Sequence, residues 1–345
     1  MQVEKAEDGR IICKLMNRTD SIIYEGMDLF IDFLTYLQKV RTTEELSKWG
    51  RSYQLSEKMI TETLHTLLED KIILTGDQAW SFDGKNRLWS YLASQTTSLD
   101  VINQCEHNWK KSRIGIIGAG GVGSRVAHEL AAMGIPSLVL VDPDCVSDHN
   151  LTHQPIFPKD SVGELKVDVL KKIFTAQYGT SITSLPLRIT PSLSPKLLDH
   201  LQDCTAVVIC ADEPSVDQLA DWLTPYLAKR GIPHLVGGGY HGHSTSTGTT
   251  IIPGVTGCWT CFDHLLDQHK QIPIAHRHIS GITGSFNPLV SFLANIIVSD
   301  IIAIITKLWR PLLFNRMGDF DLFTGKFTWR VGEKKEHCQV CNHIV

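Results

Sequence analysis

The chain has 345 residues, 43% of them hydrophobic, enough for one sizeable α/β core and a smaller second domain. Its formal charge of -4 provides no basic face of the kind that grips nucleic acid or an anionic membrane, so small molecules and peptides are the expected partners. The opening run from Met1 to Asp8 is charged and lacks an apolar signal segment, which predicts a cytoplasmic enzyme with reduced thiols.

In chain order, Ile11 to Leu15 and Ser21 to Tyr24 read as short strands, and Met27 to Val40 as an amphipathic helix. Ser56 is placed to cap a further helix with an apolar stripe of Met59, Ile60, Leu64, Leu67 and Leu68, and Lys71 to Gly76 reads as a strand and turn. With the short segment Thr43 to Trp49 between them, these elements predict a winged-helix-like module with a terminal β-wing over residues 1–85. Glu44, Glu45, Glu57, Glu62, Glu69 and Asp70 leave it no basic recognition face. A peptide strand added to its sheet edge is therefore the expected cargo, with a dimerisation or packing role as the alternative. Residues 86–110 read as a polar, helical linker.

Strand and helix patterns then alternate: Arg113 to Gly118, Ser124 to Met133, Leu138 to Asp142, Lys166 to Phe174, Ala206 to Cys210, and Val216 to Ala228. This predicts an α/β, Rossmann-like domain with a mostly parallel sheet over residues 111–345. The apolar stretch Pro288 to Thr306 is broken by Asn295 and Asp300 and diluted by Ser291 and Ser299, so it reads as a buried or subunit-interface helix rather than a membrane span.

Within this domain, Gly118-Ala-Gly-Gly-Val-Gly123 lies between the apolar run Ile114 to Ile117 and a helix. Bare glycines there, Gly118, Gly120, Gly121 and Gly123, let phosphate oxygens approach backbone amides at the positive end of the helix dipole. Asp142 ends the next strand, 24 residues after Gly118, where a carboxylate can accept ribose hydroxyls. So far a nicotinamide-dependent oxidoreductase remains open.

The residues from Asp142 onward depart from that pattern: Asp142-Pro-Asp-Cys-Val-Ser-Asp-His-Asn-Leu-Thr-His-Gln154, then Lys166, then Ile209-Cys-Ala-Asp-Glu213 at another strand end. With the glycine turn, these motifs resemble the E1-like adenylating family of the ThiF, MoeB and HesA type over residues 110–345, whose members activate ubiquitin-like and sulfur-carrier proteins. The acidic front module makes the chain most similar to members that mature ribosomally made peptides, the microcin C adenylyltransferase and the pantocin A maturation enzyme. The resemblance implies ATP and Mg²⁺ as cofactors, a precursor peptide bound by the N-terminal module, and a homodimer.

Joining a carboxylate to ATP brings two anions together, so charge must be neutralised where it builds up. Lys166 is the expected cation, although a solvated helix lysine beside Lys171 and Lys172 is the bland reading. Asp212, at a strand end, is the expected Mg²⁺ ligand, while Glu213 reads as a helix-start residue. Asn150 and Gln154 supply neutral hydrogen bonds to the nucleotide or serve as loop-capping amides. Where the family usually carries arginine, in Asn-Leu-x-Arg-Gln, this chain has His153. A histidine with pKa near ~6.5 is only partly charged at neutral pH, so some cationic stabilisation must come from elsewhere, from Arg125 or from a second subunit. The same departure leaves open whether an acyl adenylate or an acyl phosphate forms.

Four of nine cysteines form two pairs, Cys258-Trp-Thr-Cys261 and Cys338-Gln-Val-Cys341, the spacing of a structural Zn²⁺ site. A redox pair is the competing reading, and His264, His337 and His343 are nearby substitutes as ligands. Cys13, Cys105, Cys145, Cys204 and Cys210 look dispersed, and Phe262 to Asn287 contains no cysteine to take up an acyl group. His276, Arg277 and His278 in that segment, and the glycine run Gly237 to His243, are places where a substrate could lie. The expected activity is ATP-dependent activation of a carboxyl group on a precursor peptide. The pantocin-like version, a glutamate side chain activated and captured within the peptide, is favoured over microcin-like C-terminal adenylation. Carrier-protein activation, an oxidoreductase and a non-catalytic scaffold are the alternatives.

Overall fold

The computed structural model describes residues 2–14, 21–26, 28–77, 87–266, 284 and 286–341, without the side chains of 240–241 and 263–266. Leu15, Met27, His276, Arg277, His278 and His343, and the side chain of His264, lie outside the described residues. The chain forms two compact units, Met1–Glu106 and His107–Val345.

The first unit begins with an antiparallel sheet of β1 (Gln2–Lys5), β2 (Ile11–Lys14) and β3 (Ser21–Tyr24), in that order. Strand β1 carries no hydrophobic alternation to announce it. It is placed by pairing with β2, with Glu4 and Lys14 joined at 2.6 Å. Helices α1 (Asp28–Tyr36), α2 (Thr43–Ser52) and α3 (Glu57–Glu69) come after the sheet. Thr42 and Glu45 form a reciprocal capping box on α2, and Ser56 caps α3 by accepting the Met59 amide at 3.2 Å. Ile11, Phe33, Leu34, Ile60 and Leu67 close the core. Lys71 to Gly76 does not form the expected strand: apart from one parallel bridge between Thr75 and Ser98 it is irregular, so these residues build no terminal β-wing. The apolar run Ile72-Ile-Leu74 looks strand-like, but Ile72 and Ile73 pack onto the helical core instead of pairing. Helices α4 (Arg87–Ala93) and α5 (Leu99–Lys111) come next.

The second unit is built on β4 (Arg113–Ile117), α6 (Gly121–Ala132), β5 (Ser137–Val141), α7 (Lys166–Tyr178), β6 (Ser181–Leu185), α8 (Pro195–Leu201), β7 (Ala206–Ile209), α9 (Val216–Lys229) and β8 (His234–Val236). After the short strands β9 (Tyr240–His241), β10 (Ser244–Ser246) and β11 (Thr249–Ile251) come α10 (Trp259–Leu266), α11 (Asn287–Thr306), β12 (Arg316–Asp321) and β13 (Lys326–Val331). Six strands pair in the order β11-β8-β7-β4-β5-β6, all parallel except β11. Continuous apolar runs such as Ser137-Leu-Val-Leu-Val141 suit a sheet covered on both faces. From β4 the chain builds outward through β5 to β6, then returns to place β7 on the other side of β4. This reversal opens a crevice at the carboxyl ends of β4 and β7, where open α/β sheets collect ligands.

Helix α11 is the one helix among the described residues long and apolar enough to cross a membrane. It is instead largely buried, with α6 packed against it. Its fully buried Asp300 accepts hydrogen bonds from Thr250 Oγ1 at 2.6 Å and from the Leu312 and Leu313 amides at 2.6 and 2.9 Å. Burial raises the pKa of this carboxyl, and these three donors oppose the rise.

Candidate functional site

At that crevice lies a cleft of about 520 Å³, lined by the glycine turn, Asp142, Asp144, the His149 to Gln154 segment, Lys166, and residues beyond the ends of β6 and β7. Gly118 has φ +97°, and an added Cβ would sit 2.6 Å from the Ala211 nitrogen; at Gly123 it would sit 1.8 Å from the Gly118 carbonyl oxygen. Only glycine lets the turn fold this tightly against β7. Gly120 caps α6 without a side-chain hydrogen bond, leaving the leading amides of that helix free of a side-chain acceptor.

Asp142 is buried, and its two oxygens accept the Ala119 amide at 2.6 Å and the Asp144 amide at 2.8 Å. It thereby braces the turn, while each oxygen keeps a lone pair for a further donor. Burial raises its pKa, opposed by those amides and by Lys166. Lys166 opens α7 with its side chain only 7% exposed and its Nζ 3.0 Å from Asp144 Oδ2. Lys171 and Lys172 are exposed, so the bland reading describes them and not Lys166. Asp212 is exposed at the cleft and has no hydrogen-bond or ion-pair partner among the described residues.

Asn150 both lines the cleft and caps its loop: Oδ1 accepts the Ser147 amide at 3.0 Å and hydroxyl at 2.8 Å. Gln154 is 5% exposed, and its Oε1 has no partner, an orphaned acceptor in the lining of the cleft. His153 lies half-buried, stacked on His149, with burial as the main cause lowering its pKa and the positive field of Lys166 and Arg125 adding to it. It therefore carries less positive charge at neutral pH than an ordinary histidine, and is a weaker stand-in for arginine than its motif position suggests.

Arg125 does not line the cleft. Its guanidinium donates to Gly121 O at 2.7 Å, His153 O at 3.3 Å, Asn287 Oδ1 at 3.0 Å and Ser291 Oγ at 3.0 Å, tying α6, the histidine loop and the start of α11 together. Glu213 is not a helix-start residue: Ser215 caps α9 by accepting the Gln218 amide at 3.2 Å. Glu213 instead pairs with Arg188 at 2.6 Å, and both line the cleft. Sequence reasoning missed Asp144, His149, Arg188 and Leu187. Asp144 had a local signal, the doubled acid of Asp142-Pro-Asp144, whereas Arg188 had none, since its partner is 25 residues away.

Among the described residues the lining holds four carboxylates, Asp142, Asp144, Asp212 and Glu213, and two permanent cations, Lys166 and Arg188. An excess of two acids disfavours a naked polyphosphate and suits one that arrives with a divalent cation. Leu187, Ile189 and Val141 add an apolar wall for a base. The glycines Gly238 and Gly239 also reach the cleft. Cys210, the one cysteine lining the cleft among the described residues, has its thiol aimed at the Ile117 carbonyl at 3.3 Å and its pKa pushed up to about 12 by burial, so it is no nucleophile.

Elsewhere in this unit the four paired cysteines converge. Cys258 Sγ lies 3.8 Å from Cys261 Sγ and 3.4 Å from Cys338 Sγ, and Cys261 Sγ lies 3.6 Å from Cys341 Sγ. A tetrahedron with metal–sulfur bonds of ~2.3 Å has edges of about 3.8 Å, so this donor set fits Zn²⁺. The Cys258, Lys335 and Cys341 amides each point at a sulfur at 3.3–3.4 Å, as thiolates require. All four cysteines are buried, which suits a structural ion, and His337 is exposed.

The ThiF family pattern matches residues 92–341. Among curated proteins, the chain is 27% identical over 168 residues to the NEDD8-activating enzyme E1 catalytic subunit of Schizosaccharomyces pombe; the match covers 47% of this chain and 36% of that subunit. The chain thus spans about a third of that relative's length. Among solved structures, Escherichia coli MccB with ATP superposes with a TM-score of 0.75 at 22% identity, covering 99% of this chain and 97% of MccB. The same enzyme, described as a microcin C7 biosynthetic enzyme, is also solved in complex with N-formylated MccA. PaaA superposes with a TM-score of 0.70 at 20% identity, covering 97% of this chain and 99% of PaaA. At these identities the two structural likenesses establish the fold.

Proposed function

Because the chain belongs to the ThiF family, we propose that it activates a carboxyl group with ATP, on a ribosomally made precursor peptide. The observation carrying this reading is the convergence at one crevice of an uncapped helix start, the buried Lys166 and the unpartnered Asp212. The leading amides of α6 and the Lys166 ammonium hold the phosphates, and an ammonium has donors enough to keep Asp144 as well. Asp142 and Gln154 Oε1 are placed to accept from the nucleoside. Bound Mg²⁺, held by Asp212, would supply the charge neutralisation that the acidic lining lacks. A carboxylate oxygen of the substrate bonds to the phosphorus clamped by these groups as its phosphoanhydride bond breaks, releasing pyrophosphate after attack at the α-phosphate or ADP after attack at the γ-phosphate, and the acid becomes a mixed anhydride.

The peptide reading draws on the first unit. In its sheet β3 is an edge strand among the described residues, and its end leads into an apolar cavity of about 340 Å³ lined by Tyr24, Phe30, Phe33, Trp49 and Met59. A peptide adding to that edge would place a side chain there. The likeness to MccB, solved with N-formylated MccA, runs through this unit as well. With no reactive thiol lining the cleft among the described residues, we assign capture of the acyl group to the peptide itself, a glutamate side chain closing a ring. C-terminal adenylation is the alternative, as in the microcin C enzymes that the sequence resembles. A structural Zn²⁺ at the four cysteines and pairing of two copies complete the proposal.

The test is to search the reading frames beside this gene for a short peptide and to follow that peptide by mass spectrometry after incubation with the enzyme and Mg·ATP. Loss of water or of carbon dioxide supports ring closure, and a gain of one nucleotide supports adenylation. An unaltered peptide with no ATP consumed contradicts both.

A further inference from the structure

Arginine is missing at position 153, and the two groups nearest the gap do not replace it: burial lowers the pKa of His153, and the Arg125 guanidinium, outside the cleft lining, is engaged by Gly121 O, His153 O, Asn287 Oδ1 and Ser291 Oγ. Lys166, which keeps Asp144 at 3.0 Å, meets phosphate as a single ammonium and does not supply the bidentate fork of an arginine. Among the described residues, one arginine lines the cleft, Arg188. It lies just beyond β6 and Glu213 just beyond β7, strands that β5 and β4 separate in the sheet. Three strand spacings place those ends ~14 Å apart. Their side chains nonetheless meet at 2.6 Å, so the pair spans the carboxyl ends of β4 and β5, the strands that lead into the glycine turn and Asp142. Leu187 and Ile189, on either side of Arg188, line the cleft and anchor its backbone. Both charged side chains are mainly solvent-exposed, at 59% and 69%, so the bond is screened and easily exchanged.

We propose that Arg188 is the anion-binding guanidinium of this cleft, held in place by Glu213 until the triphosphate of Mg·ATP replaces Glu213 as its partner. This rests on the reading of the cleft as a nucleotide site. Guanidinium fits phosphate oxygens in a bidentate manner, and the exchange keeps the arginine paired throughout while leaving Glu213 to water. Glu213 is then a competitor for the same donor, which makes an unusual prediction: removing this acid tightens nucleotide binding.

The test is calorimetric titration of the full chain with Mg·ATP and with adenosine, for wild type, Arg188→Ala, Arg188→Lys and Glu213→Gln. Arg188→Ala weakens Mg·ATP by ~10- to 100-fold, the range for a lost charged hydrogen bond, and leaves adenosine unchanged. Arg188→Lys recovers part of the loss, and Glu213→Gln binds Mg·ATP more tightly than wild type. Unchanged Mg·ATP affinity in Arg188→Ala overturns the proposal, as does weaker Mg·ATP binding in Glu213→Gln or an equal loss for adenosine. If wild type binds no Mg·ATP, the nucleotide reading itself fails, and this proposal with it.

Discussion

Replacing Lys166 with methionine separates the charge of that side chain from its packing. Methionine keeps the unbranched stem in its buried slot and deletes the ammonium 3.0 Å from Asp144. At that separation the raw attraction is ~5–6 kcal/mol with an effective dielectric of about 20. The Asp144 side chain is 50% exposed, however, and can turn to water when its partner leaves, so the net cost to folding falls to about 1 kcal/mol. For a unit of this size that is a shift in Tm of about 2–4 °C. The effect on nucleotide is much larger. One charged hydrogen bond to phosphate is worth ~10- to 100-fold in Kd. A cation aimed at charge that grows in the transition state is worth a further ~10²- to 10³-fold in kcat. Calorimetric titration with Mg·ATP and a thermal melt on the same preparation read both numbers. A Kd within twofold of wild type with an unchanged melt refutes the assignment of Lys166, and a melt lowered by more than 10 °C reassigns it to structure.

Three further outcomes are expected of the site and its surroundings. His153→Arg retains or raises ATP turnover, measured as AMP plus ADP formed with the peptide, because it restores a permanent cation; complete loss of turnover counts against the placement of this loop. Metal analysis by mass spectrometry finds one zinc per chain, and Cys258→Ser both loses it and lowers the melting temperature; a zinc-free wild type with the same melt as the variant removes the ion from the account. His234 is fully buried between Thr224 and the Ile232 carbonyl, and burial lowers its pKa from 6.5 to about 4. Its folded pKa lies below its unfolded one, so it costs nothing above pH 6.5 and destabilises the fold progressively from there down to pH 4. The penalty amounts to about 2 kcal/mol at pH 5. Urea melts at pH 7.5 and pH 5 should show wild type losing more unfolding free energy than His234→Gln between the two pH values, by about that amount, and an equal loss in the two proteins excludes it.

The parts of this molecule that sequence reveals are those whose cause is local. The glycine turn, Asp142 at a strand end and the first residue of α7 are each set by the pattern of the few residues around them, and the paired cysteines by their spacing. Ser56 capping α3 and the apolar run of α11 are legible for the same reason. Strand β1 is not, because Val3 is its one apolar residue and only the partner strand specifies it. Lys71 to Gly76 misleads in the opposite direction, since apolar residues there pack onto helices instead of pairing. Within the cleft, the bond between Arg188 and Glu213 depends on sheet order, which brings loops after two non-adjacent strands together. The fate of Arg125 depends on α11, whose Asn287 and Ser291 are more than 160 residues further along. A histidine's charge is likewise a property of its surroundings: the pKa of His153 is lowered chiefly by burial, with Lys166 and Arg125 adding to it, and its own motif encodes neither the burial nor those two cations.

The most direct measurement is a crystal structure of the chain with Mg²⁺ and a non-hydrolysable ATP analogue. It should place the phosphates on the leading amides of α6, within hydrogen-bond distance of the Lys166 ammonium, with the metal bound by Asp212 and the ribose at Asp142. A triphosphate lodged elsewhere, or one in this cleft that touches neither Lys166 nor a metal held by Asp212, would contradict the account.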